Sequence, residues 1–75
     1  MAEKITIRLP EAADIHAVLE NTLTAKRIRM EHIKVSRLPG GMLEIVLDVL
    51  FPTVYNIDDV LALLMEVPEI ESIDL

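Results

Sequence analysis

The hydrophobic residues of this chain change period four times, and that succession restricts the folds open to it. Ile5, Ile7 and Leu9 alternate with Lys4, Thr6 and Arg8, the period-two signature of a strand with one buried face. Helical spacing follows from about Ala12 to Leu23. Alternation returns at Ile33 and Val35 and runs again from Leu43 to Phe51. A second helical run covers Ile57 to Val67, and Ile73 and Leu75 close a last strand over Glu69–Leu75. The order is strand, helix, strand, strand, helix, strand.

The turn chemistry agrees with that order. Pro10 suits the opening of the first helix, because its missing N–H is one the first turn leaves unpaired. Glu11 and Asp14 would then face the positive end of the helix dipole. The expected apolar stripe is Ala12, Ile15, Leu19, Thr22 and Leu23, with Val18 on its flank and an end near Thr24 or Ala25. Ile28 and Met30 are out of phase with Ile33 and Val35, which predicts an entering loop or bulge with regular pairing from about His32. Pro39-Gly40-Gly41 reads as the turn of a hairpin. Pro52 ends the third strand, and Asn56 with Asp59 reads as a capping box that opens the second helix.

Two β-α-β units joined by a hairpin form a ferredoxin-like βαββαβ arrangement. The expected fold class is α+β, with a four-stranded antiparallel sheet and two helices on one face. Right-handed crossovers place the first and third strands at its centre. Ile5, Ile7, Ile45, Leu47 and Ile73 should lie under the helices, with Leu75 also inward. Thr6, Arg8, Val46, Asp48 and Leu50 should form the opposite face.

Residues 1–75 make one domain, and a chain this short buries only ~60–65% of its unfolded surface. The 52% hydrophobic content compensates, mostly through Leu, Ile and Val, while Phe51 and Tyr55 are the only aromatics. No cysteine is present, so disulfides and thiolate metal sites are excluded. Glu3 and Lys4 precede any apolar run, unlike a secretory leader. The longest apolar runs, such as Val60–Met65, fall far short of the ~20 residues that span a bilayer. This segment should therefore not insert into a membrane itself.

All seven Lys and Arg residues precede residue 38, and eight carboxylates follow it with no base among them. The net charge of −6 argues against nucleic acid as a partner. Solubilising charge on a very apolar domain explains most of this pattern.

Chemistry-bearing motifs are sparse. His16 flanks the first helix without a second histidine at i+4, and Asp14, two residues before it, points in a different direction, so no metal site is expected there. Asp58 and Asp59 read as helix-start charge rather than a cation site. Ser36 and Ser72 lack a histidine at motif spacing, and Pro39-Gly40-Gly41 feeds a strand rather than a phosphate-binding helix. An enzyme would have to gather Arg8, His32 or Tyr55 into a pocket. No catalytic residue and no cofactor are assigned.

The succession ITIRL, helix, RIRMEHIKVSR, GMLEIVLDVLF, NIDDVLALLMEVPEIESIDL resembles an ACT-type domain over nearly its whole length. The tail is its most specific part: a leucine-rich helix, then Val-Pro-Glu-Ile and a short strand, with Glu69 where the family habitually has Gly. Ligand-binding ACT domains usually have a Gly-containing turn after the first strand; here that turn reads Leu9-Pro10-Glu11-Ala12-Ala13-Asp14.

The chain looks most like the ACT-like C-terminal cytoplasmic domain of MgtC/SapB-family membrane proteins. That resemblance implies a non-catalytic regulatory or assembly domain associated with magnesium limitation. It would lie in the cytoplasm, tethered to the bacterial inner membrane through a region that precedes this segment. The expected partner is a second copy or the parent membrane protein, with Val46, Leu50, Leu63 and Met65 as interface. The alternative is an ACT regulatory module binding an amino acid at a dimer interface, with Pro10, Glu11, Asp14, Ile28 and Met30 forming the pocket.

Overall fold

The computed structural model describes Met1–Leu75. Its elements are β1 (Ala2–Pro10), α1 (Ile15–Thr22), a single 3-10 turn (Thr24–Lys26), β2 (Arg29–Leu38), β3 (Met42–Leu50), α2 (Ile57–Met65) and β4 (Ser72–Asp74). The strands form one antiparallel sheet in the order β2-β3-β1-β4, with both helices on one face. This is the ferredoxin-like arrangement expected from the sequence.

β1 and β3 pair without interruption from Ala2↔Leu50 to Pro10↔Met42. Because successive side chains alternate between faces, Ile5, Ile7 and Leu9 share the helix side with Leu43, Ile45, Leu47 and Val49. All seven are buried, and Leu19, Leu23, Ile28, Phe51, Val60 and Leu64 complete a core with no polar member. Thr6, Arg8, Val46, Asp48 and Leu50 take the opposite, open face, only partly covered.

The first helix begins later than the proline suggests. Pro10 is the last residue of β1, opposite Met42, and the Glu11 N–H extends the pairing by donating to the Gly41 carbonyl at 2.7 Å. A start at Pro10 would have made Leu9 the cap, which has no side-chain acceptor. Asp14 has one, and its Oδ1 accepts from the Ala17 N–H at 3.1 Å. The helix therefore waits for Asp14, leaving Ala12 and Glu11 exposed outside it.

The bulge also lies slightly further along than the sequence phase implied. Met30 already pairs with Val49, and the register shifts between Glu31 and Lys34. His32, at φ 52°, supplies the extra residue. Ile28 is buried, and its N–H donates to Leu23 O at 3.0 Å, which closes the connection from α1.

At the C-terminal end, β4 is only three residues long, and Leu75 points into solvent at 71% exposure rather than inward. Ile73 packs against the core as expected. α2 is capped by Asn56, whose side chain accepts from the Asp59 N–H at 3.0 Å while Asp59 accepts from the Asn56 N–H at 2.9 Å. Replacing Asn56 with Ala removes one arm of this box and should cost about 1 kcal/mol. A urea titration that shows no change in midpoint would contradict that assignment.

Candidate functional site

The least protected part of the sheet is β2. It is an edge strand of ten residues, and none of its side chains is buried. Register places Val35 opposite Ile45 and Arg37 opposite Leu43, on the helix side of the sheet. There Ile33 and Val35 stand 49% and 51% exposed.

The cause is length. The eight residues of α1 extend ~12 Å, whereas ten strand residues extend ~33 Å. The helix reaches Met30 and Ile33 and stops short of Val35. Between helix and strand lies a groove of about 360 Å³, floored by Ile15, Leu19, Met30 and Ile33 and edged by His16 and Glu20. His16 Nε2 and Glu20 Oε2 lie 2.7 Å apart, so the histidine is an exposed i, i+4 partner on the groove rim.

The open face is polar and internally paired. Arg8 Nε donates to Glu44 Oε2 at 3.0 Å and an Nη to Asp74 Oδ2 at 2.6 Å, linking β1 to both neighbours. The carboxylate of Asp74, then that of Glu44, raise the Arg8 pKa above its ordinary value against the lowering effect of desolvation, so the guanidinium stays charged. Asp48 lies between Lys4 on β1 and Glu31 on β2, and its Oδ2 is 2.8 Å from His32 Nδ1. Val46, half-buried, lies between Thr6 and Lys34, and Leu50, also half-buried, between Ala2 and Arg29.

The other two residues of the sequence-derived interface lie elsewhere. Leu63 is half-buried in a groove of about 430 Å³ beside Val54 and Tyr55, with Lys26, Asp59 and Glu66 around it. Met65, at the end of α2, is 70% exposed. Val46 and Leu50 therefore share one face of the sheet, while Leu63 and Met65 belong to the helix layer on the other.

The residues considered for an amino-acid pocket divide between the two ends of the sheet. Pro10 and Glu11 lie beside the β2–β3 turn, with Glu11 Oε1 3.3 Å from an Arg37 Nη. Asp14 is occupied as the cap of α1. Met30 pairs near the far end of β3, ~23 Å along that strand from Met42. Ile28 just precedes Met30 and is buried. A single chain does not bring these five together.

Arg8, His32 and Tyr55 also fail to converge. Arg8 and His32 make their contacts with different residues of β3 on the open face, and Tyr55 packs beside α2. The exposed apolar strip on β2 was only half legible in the sequence. Ile33 and Val35 had strand periodicity, but nothing local revealed that α1 is too short to cover them.

No protein-family model matches the chain, and no curated protein matches it.

Proposed function

We propose that this chain is a non-catalytic regulatory and assembly domain that acts through protein contact. The observation that supports this reading is the uncovered helix side of β2, where Ile33 and Val35 remain half exposed at an unpaired sheet edge. Edge strands present free N–H and C=O groups, and most proteins shield long ones. Here the bulge at His32 shields only the first half.

In its finer form, the domain is the soluble C-terminal part of an MgtC/SapB-like membrane protein. The support is the ferredoxin-like topology together with the leucine-rich helix and the Val67-Pro68-Glu69-Ile70 segment leading to a short strand. Under this reading, membrane-spanning segments precede residue 1 in the full gene product.

Thermal unfolding against amino acids, nucleotides, Mg²⁺, Ca²⁺ and Zn²⁺ tests the reading. No shift of the midpoint is expected with any of them. A ligand at ~100 times its Kd adds about 2.7 kcal/mol, which raises Tm by roughly 10–20 °C in a domain this small. Such a shift with one amino acid would replace this proposal with the ACT ligand-binding reading.

A further inference from the structure

We infer that the cleft between Arg27, Arg29 and the end of β3 docks an extended acidic segment of a partner protein, its carboxylates on the two arginines and its apolar side chains on Leu50 and Pro52. The inference rests on the protein-contact reading and supplies the chemistry of a partner. Of the interface residues expected from the sequence, only Leu50 lines this cleft.

Three neighbouring segments form it. Arg27 and Arg29 come from the connection into β2, Leu50, Phe51 and Pro52 from the end of β3, and Met1 from the start of β1. Strand order puts the β3 segment in the middle, so the arginines and the apolar residues lie side by side around about 450 Å³. That volume is in the range of clefts that hold ligands.

The charge of the cleft is opposite to that of the molecule. The chain carries 13 carboxylates against seven Lys and Arg residues, and every other cleft on its surface has an Asp or Glu in its lining. This one has none. Arg8 and Arg37 are paired with carboxylates, whereas Arg27 and Arg29 are paired with none. Glu31, the nearest acid along β2, sits in the row of Asp48 and Lys4 and does not line the cleft. A cleft lined by one sign of charge focuses its field on what approaches. The adjoining carbonyls do not cancel that field. Phe51 O accepts from the Met1 nitrogen at 3.1 Å, and Pro52 O from the Tyr55 N–H at 3.0 Å.

Both arginines stand on fixed backbone. Arg27 is at φ 62°, its N–H donates to Thr24 O at 3.0 Å, and Ile28 after it is buried. Glycine takes that left-handed conformation without steric cost. The chain has a long cation there instead. Arg29 pairs opposite Leu50, so its side chain starts from the same row as the apolar residues.

The chemistry favours a peptide over a small anion. Exposed guanidiniums hold a bare anion weakly, because water screens the pair. Retention therefore needs apolar contact as well, and Leu50 and Pro52 are only half-buried. An extended segment that alternates acidic and apolar residues presents them to opposite sides. That arrangement matches a cleft with arginines along one wall and apolar side chains along the other. Arginine also fits carboxylates two bonds at a time. The net charge of −6 keeps such a segment off the rest of the surface.

The test is fluorescence anisotropy of a fluorescein-labelled peptide alternating Glu with Leu, titrated with the full chain. The expected Kd is on the order of 10–100 μM at ~50 mM salt, weakening several-fold at ~300 mM. A peptide with Lys in place of Glu should not bind. Arg29→Glu should weaken binding ~10-fold or more, while Lys34→Glu, the same charge change further along β2, should alter it less than about twofold. Arg27→Gly removes the guanidinium and relieves the left-handed backbone, so Tm should hold or rise while affinity falls by roughly 3–10-fold. That combination separates a binding role from a structural one.

No binding at ~1 mM chain overturns the inference while leaving the broader protein-contact reading in place. Equal losses from Arg29→Glu and Lys34→Glu, or equal binding of the lysine peptide, overturn it as well. An amino-acid-induced rise in Tm is a separate failure, that of the proposed function.

Discussion

Leu47→Ala should lower the thermal midpoint by roughly 10–30 °C, enough to leave much of the protein unfolded at physiological temperature. Leu47 is fully buried at the middle of β3, opposite Ile5, beneath the helix layer. Truncating a buried leucine typically costs ~2–5 kcal/mol, the transfer term plus the cavity left behind. In a 60–100-residue domain each kcal/mol moves Tm by ~4–8 °C. The remaining core is small and wholly apolar, so little nearby can flow into the space. Val46→Ala, one residue away on the open face, is the control and should shift Tm by only a few degrees. Equal shifts for the two variants in a circular-dichroism melt would refute the assignment of the core to a single face.

Gly41→Val should destabilise the domain by about 1–3 kcal/mol, although the new side chain meets nothing. A Cβ at Gly41 has no heavy atom within 4 Å, so crowding makes no contribution. The cost is in the backbone, where Gly41 at φ 73° and Gly40 at φ 83° form the turn between Leu38 and Met42. A β-branched residue adopts that left-handed region only under strain. Relaxing it would also disturb the Gly41 carbonyl, which accepts from Glu11 and ties the end of β1 to the turn. Gly41→Asn tests the cause, because asparagine tolerates the same region and should lose well under half as much. Chemical denaturation of both variants would decide. Equal losses would indicate a packing role for Gly41 instead.

These two sites also show how differently parts of the structure were written into the chain. The alternation in Ile5–Leu9 and Leu43–Phe51 specifies a face as well as a strand, because a one-residue slip would turn every apolar side chain outward. The Pro39-Gly40-Gly41 turn and the Asn56–Asp59 capping box are local devices whose partners lie within a few residues. All three could be read directly. The first helix was misread at its start because Pro10 is equally acceptable as a strand end and a helix opener. Asp14 decided between them by offering a side-chain acceptor to Ala17.

The candidate contact surface was much harder to see. Exposure of Ile33 and Val35 depends on how far α1 reaches over β2, and that is set by the length and seating of the helix on the core rather than by any pattern in β2 itself. Likewise, Arg8 acquires Glu44 and Asp74 as partners because β1 is central, with those residues 36 and 66 positions away. The separation of Pro10 and Glu11 from Ile28 and Met30 is also a property of strand register.

The sequence by itself determined the order of elements, the faces of the central strands and the chemistry of the turns, since each depends on neighbours within a few residues. Only the tertiary structure decided which apolar residues stay uncovered. Burial is settled by the distance between a short helix and an edge strand, and no local pattern encodes that distance.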